Sequence, residues 1–226
     1  MSTVKQAVVL LSGGMDSVAA LHWAVARYAS VRSIGFDYGQ QSRDGEVSSA
    51  GTAARELDVQ HTLLVLADAF AVRLGLLGNV PDHDPGAHGV HPAFLPNRNA
   101  VLLNVAALHA CAWFPNGNID LVFGANAEDA AGFPDCRATY LSELASVLRK
   151  GCARQIKIVA PWVELSKGGI VASLHANEAA VADIRRSWSC YRRGGPCGTC
   201  SACVLRAKAF AAAGLVDESA WPSMNA

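Results

Sequence analysis

The chain has 226 residues, 51% of them hydrophobic and 17% charged, so it can bury one core without covalent staples and is too apolar for extended disorder. Nineteen basic side chains balance nineteen acidic ones, which leaves no overall charge to draw the protein to nucleic acid or a membrane surface. No apolar run reaches the ~18–20 residues of a membrane span, and the N-terminus lacks the pattern of a signal peptide; the longest run, 101–114, is interrupted by Asn104 and His109.

Residues 6–11 form a continuous apolar run of strand length, stopped by Ser12-Gly13-Gly14 and followed by an amphipathic helical pattern over 17–27. Strand, glycine turn and helix open an α/β unit. The pattern recurs as strand 31–36, helix 44–57 and strand 61–65. A third long helix is expected to begin at Asn99, a good N-cap, and to run through 112. Strand 120–123, helix 139–149 and strand 156–160, stopped by Pro161, complete the series. Strands separated by helices predict an α/β fold, a doubly wound parallel sheet of about five strands covered on both faces. Residues 1–185 read as that domain, and 186–226 as a small C-terminal element with four cysteines and a helix. Residues 78–97, rich in Gly, Pro, Asp and His, read as a long functional loop.

The segment Leu11-Ser12-Gly13-Gly14-Met15-Asp16-Ser17 sits at the carboxyl end of the first strand, where α/β sheets bind ligands. Adjacent glycines let backbone approach an anion, and the next helix points its first N–H groups at it. Ser12 and Ser17 add hydroxyl donors. A carboxylate at Asp16 makes sense beside an anion when a cation such as Mg²⁺ bridges the two. The loop lacks the Gly-Lys-Ser/Thr of phosphoryl-transfer NTPases and the Gly-x-Gly-x-x-Gly of dinucleotide folds. An ordinary tight turn is the plain alternative. The complete Ser-Gly-Gly-x-Asp-Ser resembles the pyrophosphate loop of the N-type ATP pyrophosphatases, which cleave ATP between its α and β phosphates and adenylate a substrate.

Of the cysteines, four crowd together as Cys190-x6-Cys197-x2-Cys200-x2-Cys203. This spacing suits zinc held by four thiolates, with Gly194, Gly195 and Gly198 giving the turns their freedom. Four sulfurs close the coordination sphere, so one structural zinc per chain is expected, in a reducing cytoplasm. Cys111 reads as a packed core residue, while Cys136 and Cys152 fit no ligand spacing. His83, His88 and His91 could form a second metal site, although a solvated loop is the commoner outcome for such a stretch.

Further pieces follow in order: Phe36-Asp37-Tyr38-Gly39-Gln40, Phe94-Leu-Pro-Asn-Arg-Asn99, Gly132-Phe-Pro-Asp-Cys-Arg137 and Cys197-Gly-Thr-Cys-Ser-Ala-Cys203-Val-Leu-Arg206. Together with the glycine loop they cover nearly the whole chain, which resembles the 7-cyano-7-deazaguanine synthase family. The resemblance implies ligation of ammonia to 7-carboxy-7-deazaguanine in two ATP-dependent rounds, by a cytoplasmic homodimer using Mg²⁺ with ATP. It assigns Leu11 through Ser17 to pyrophosphate and metal, with Asp16, Ser17 and Arg98 catalytic. Asp37, Tyr38, Gly39 and Asn99 fall to ATP, and Phe133, Pro134, Asp135, Arg137 and Lys167 to the acid. Two departures stand out: Asn97 replaces a glycine, and Ala131 and Phe133 replace a serine and a tyrosine. Asparagine tolerates a left-handed backbone. The lost hydroxyls raise a runner-up, a paralogue that activates a related deazapurine acid and stops at the amide or serves another acceptor. A nucleotide- or tRNA-binding module without turnover is the non-enzyme alternative, and zero net charge makes nucleic acid the weaker partner.

Overall fold

The structure, a computed structural model, describes residues 5–71 and 89–217. Strands β1 (Gln6–Leu10), β2 (Ser30–Asp37), β3 (Gln60–Val65), β4 (Ile119–Val122) and β5 (Ile156–Val159) form one sheet in the order β3-β2-β1-β4-β5. Every pairing is parallel, with Ala7 opposite Val31 of β2 and Asp120 of β4. Parallel neighbours need crossovers, and these place helices on both faces. On one face lie α1 (Met15–Val25) and α2 (Arg43–Glu56); on the other lie α3 (Arg98–Trp113) and α5 (Ala138–Gly151). The short α4 (Ala127–Gly132) follows β4. Helices α6 (Lys167–Ser173), α7 (Glu178–Arg186) and α8 (Ser201–Ala212) join the α1 side, where Ile170, Ile184 and Phe210 enter the same core as Val18 and Leu21.

The unbroken apolar run of β1 follows from burial on both sides. Ala7, Val9 and Leu11 pack toward α1, while Val8 and Leu10 pack toward α3 and α5, and none is more than 6% exposed. The chain builds β1, β2 and β3 outward, then returns to the opposite edge of β1 with β4. That reversal opens a crevice beyond the carboxyl ends of β1 and β4.

Two expectations are corrected here. Helix α1 begins at Met15 rather than 17, because Gly14 supplies the extended N-cap. At α3 the cap is Asn97, in the left-handed conformation (φ 56°, ψ 16°), and not Asn99. Asn99 is fully buried in the first turn, where its own N–H donates to Asp135 Oδ2 at 3.1 Å. A carboxylate distant in sequence thus does the capping that local pattern assigned to the asparagine side chain. The short α4 and α7 carry too few turns for periodicity to reveal them.

Candidate active site

The glycine loop is shaped by close packing. Gly13 has φ +85°, and a Cβ there would lie 2.1 Å from the Glu46 carbonyl oxygen, so only glycine fits. Its carbonyl accepts from the Trp188 N–H at 2.9 Å and from Ser49 Oγ at 2.8 Å. Ser12 Oγ lies 3.1 Å from Ser17 Oγ, which donates to the Gly14 carbonyl at 2.9 Å. Gly124, at the exit of β4, would bring a Cβ within 3.0 Å of the Asp16 carbonyl carbon, which keeps the two strand ends in contact.

At this junction Asp16 Oδ2 pairs with Lys167 Nζ at 2.5 Å and accepts from Asn126 Nδ2 at 3.1 Å. Lys167 also reaches Asp129 Oδ1 at 3.2 Å, and Asn126 donates to Asp129 Oδ2 at 2.7 Å. Burial disfavours the Lys167 ammonium, but Asp16 and Asp129 outweigh it and hold the lysine above its ordinary range. Burial pushes the Asp129 carboxyl up to about 6, with Lys167 pulling the other way. Asp16 Oδ1 is buried with no hydrogen-bond partner among the described residues. A hard anionic oxygen left in that condition beside an anion loop fits a divalent cation such as Mg²⁺.

Two cavities meet along this charged seam. The first is walled by Leu10, Ile34, Phe36, Tyr38, Leu102 and Phe123, an apolar slot over β1 and β2. The second runs toward the cysteines past His91, Phe133, Trp188, Tyr191, Ser201 and Leu205. Gly14, Asp16, Glu46, Arg98, Asp129, Cys136 and Tyr191 face both. Arg98 donates to Asn99 Oδ1 at 3.1 and 3.0 Å and to the Tyr38 hydroxyl at 3.3 Å. Burial works against its charge, yet Tyr38, Cys136 and Asp135 more than compensate and hold it protonated. Glu46 accepts from Gln40 Nε2 at 2.9 Å and Ser42 Oγ at 2.7 Å, and burial raises its carboxyl above the usual range. Burial likewise takes the Tyr191 hydroxyl up to about 12, so it stays a neutral donor.

Of the residues singled out in the sequence, Leu11, Ser12, Gly14, Met15, Asp16, Ser17, Tyr38, Arg98, Asn99, Phe133 and Lys167 line one or both cavities. Gly13, Asp37, Gly39, Pro134, Asp135 and Arg137 line neither. Gly13 supports the loop from behind. The Asp37 carboxylate accepts from the Gly39 N–H at 3.1 Å and pairs with Arg43 at 2.5 Å, which stiffens the end of β2. Asp135 lies in the 3-10 turn Pro134–Cys136 under α3, 3% exposed, where Oδ2 accepts from the Asn99 N–H and Oδ1 has no hydrogen-bond partner among the described residues. Arg137 points outward and donates to the Ala130 carbonyl at 3.2 Å. The metal reading of the loop histidines fails at His91. Its Nδ1 accepts from the Ala93 N–H at 3.0 Å, so Nε2 carries the proton toward Ser201 Oγ, also at 3.0 Å, and no nitrogen is left for a cation. His83 and His88 lie outside the described residues.

Glu46, Asn126, Asp129, Trp188 and Tyr191 escaped sequence reasoning. For Asn126 and Asp129 a signal existed: they follow the carboxyl end of β4, as Asp16 follows that of β1.

The sulfurs of Cys190, Cys197, Cys200 and Cys203 all lie within 4.8 Å of one another and could hold a metal ion. Cys197 and Cys203 stand 3.8 Å apart, and Cys200 and Cys203 3.4 Å apart. Backbone N–H groups of Arg192 and Cys197 point at Cys190 Sγ, and that of Cys200 at Cys197 Sγ, as thiolates require. Beneath them Arg206, 1% exposed, donates to the carbonyls of Ile184, Arg185 and Ser187 and pairs with Asp217.

The family model described as queuosine biosynthesis protein QueC matches residues 6–214. The chain is 39% identical over 218 residues to a 7-cyano-7-deazaguanine synthase of Laribacter hongkongensis, covering 94% of this chain and 93% of that one. It is 34% identical to the synthase of the same name from Methanosarcina barkeri, with 94% and 96% covered. The corresponding protein of Rhodopseudomonas palustris is 36% identical, with 92% and 95% covered. Among solved structures, an NMN synthetase from Francisella tularensis superimposes with a TM-score of 0.49 at 13% identity, over 92% of this chain and 77% of that one.

Proposed function

Because the chain belongs to the queuosine biosynthesis protein QueC family, we propose that it ligates ammonia to 7-carboxy-7-deazaguanine with ATP, giving first the amide and then 7-cyano-7-deazaguanine. The observation that carries this reading is the meeting of two cavities at Asp16, Arg98 and Asp129. The slot suits adenosine and the second cavity suits the heterocycle, so the α-phosphate and the carboxylate would meet at the seam.

A carboxylate resists amide formation because oxide is a poor leaving group. Its attack on the α-phosphorus releases pyrophosphate and leaves an acyl adenylate. Ammonia then adds to the carbonyl carbon, and AMP departs with the electrons of the C–O bond. In the second round the amide oxygen takes the adenylyl group, and loss of AMP and protons leaves the nitrile. The protein's part is to align, neutralise and exclude water. Ser12, Ser17 and the amides of Gly14 and Met15 would receive the pyrophosphate. Arg98 would sit against the reacting oxygens, and Lys167 opposite. Phe133 would cover the heterocycle from the second cavity, which Asp16, Glu46, Glu128 and Asp129 line with carboxylates. When bound at Asp16, Mg²⁺ supplies positive charge to the leaving pyrophosphate.

The Phe133 ring lies 5.0 Å from that of His91, whose nitrogens are engaged by the Ala93 N–H and Ser201 Oγ, so within the protein His91 is left without need of a hydroxyl at 133. For the cysteines we favour zinc: four sulfurs within 4.8 Å of one another, at Cys-x-x-Cys spacing, suit a closed tetrahedral thiolate site.

The deciding assay combines the protein with ATP, Mg²⁺, ammonium and 7-carboxy-7-deazaguanine and follows AMP, pyrophosphate and product mass. Amide followed by nitrile is the expected outcome. Stimulation of AMP release by another acid and not by this one would overturn the substrate, and amide without nitrile would favour the paralogue. A homodimer belongs to the same reading, with exposed Leu108 on α3 and Val147 on α5 as apolar surface to cover. Light scattering should return twice the chain mass, and a monomer at micromolar concentration would refute it.

A further inference from the structure

Trp188 touches three things at once. Its backbone N–H donates to the Gly13 carbonyl at 2.9 Å, and the residue also lines the second cavity. Its indole Nε1–H donates to the Cys190 carbonyl at 2.8 Å. Its ring lies so close over α2 that a Cβ on Gly45 would stand 2.2 Å from Cδ2. Anion loop, first cysteine and second helix therefore share one residue.

The consequence lies in the peptide plane. The Gly13 carbonyl and the Gly14 N–H are opposite ends of one trans peptide, so whatever fixes the first aims the second. Glycine at φ +85° imposes little direction of its own, and the direction must come from outside. Trp188 supplies it from the cysteine side, and Ser49, at 2.8 Å, supplies it from α2. The Gly14 N–H then points toward Ser12 Oγ at a long 3.3 Å, a weak contact that an anion can replace.

We propose that Trp188 is a positioning residue that couples metal occupancy of the four cysteines to nucleotide affinity at the loop. The inference rests on reading that loop as the nucleotide site. Metal orders Cys190, the Cys190 carbonyl holds the indole, and the Trp188 N–H holds the Gly13 peptide. Coupling of this kind is reciprocal: a nucleotide on the loop tightens metal binding at the cysteines by the factor that metal tightens nucleotide binding.

The experiment measures the equilibrium partition of zinc between the purified protein and a chromogenic chelator, with and without Mg²⁺ and α,β-methylene-ATP, while calorimetry reports binding of the same analogue. Wild type should hold zinc about fivefold more tightly with the analogue, the factor expected for one hydrogen bond. Trp188→Phe keeps a ring over Gly45 and loses the indole donor; it should retain zinc and bind the analogue, with the nucleotide no longer tightening zinc. Ser49→Ala removes the other donor to Gly13 and should weaken the analogue about fivefold while wild-type zinc content persists. Binding of the analogue without any effect on zinc affinity in wild type overturns the coupling and leaves the nucleotide site standing. Failure of the analogue to bind overturns the site, and the coupling with it. Should Trp188→Phe not fold, the wild-type measurement and Ser49→Ala still decide.

Discussion

The glycine loop after β1 and the cysteine segment after α7 both lack regular structure, yet they are held by opposite means. The loop inherits its rigidity from a strand buried on both faces and from α1, and glycine at 13 lets α2 press against it. The cysteine segment has no sheet to lean on. It depends on four converging sulfurs and on Arg206, whose guanidinium satisfies the last carbonyls of α7. The first region leaves Asp16 Oδ1 without a partner among the described residues and the Gly14 N–H in a single long contact. The second aims the backbone N–H groups of Arg192, Cys197 and Cys200 at its own sulfurs. A binding surface and a strut thus differ in where their hydrogen bonds go.

The contrast can be broken from either side. Cys200→Ser should do most damage, because structural zinc contributes on the order of 10 kcal/mol to the folding of the element that holds it. Elemental analysis and thermal melts should show zinc lost and the transition lowered more than for any variant below. Arg206→Met leaves Asp217 and three carbonyls without their buried partner and should cost about 3–5 kcal/mol in denaturant unfolding. A cost under about 1 kcal/mol would mean that sulfur alone holds the segment. On the other side, Asp16→Asn should fold normally and lower AMP and pyrophosphate formation about 10²–10³-fold, the scale of losing a preorganised electrostatic group. Retained turnover would remove Asp16 from the reaction.

The smallest expected effect concerns Asp129. Its carboxyl rises from 3.8 to about 6 on folding, so the folded chain binds that proton more tightly than the unfolded one. Between those values, stability of wild type relative to Asp129→Asn should fall as pH increases, and the difference should be flat above about 6. A difference that grows with pH across that window would contradict the burial described here.

Much of the site was legible because its chemistry is local. Ser12 to Ser17 and the four cysteines announce themselves through residue type and spacing, and one turn of chain positions each group. Asp135 shows where that reasoning stops. It belongs to a motif that resembles a substrate loop, and one of its carboxylate oxygens also caps α3, which only the approach of two distant segments could establish. Asn97 and Asn99 make the same point within three residues: either side chain could begin a helix, and the position of Asp135 decided between them.

The sequence by itself determined the alternation of strands and helices, the anion loop and the metal knuckle, since hydrophobic period, glycine freedom and ligand spacing act over a few residues. The tertiary structure alone decided which carboxylates line the two cavities and which cap a helix. It also decided that Lys167 closes on Asp16 and that Trp188 joins the knuckle to the loop. Burial and pairing depend on what the sheet's reversal at β1 and β4 brings together, and no residue carries that information in its neighbours.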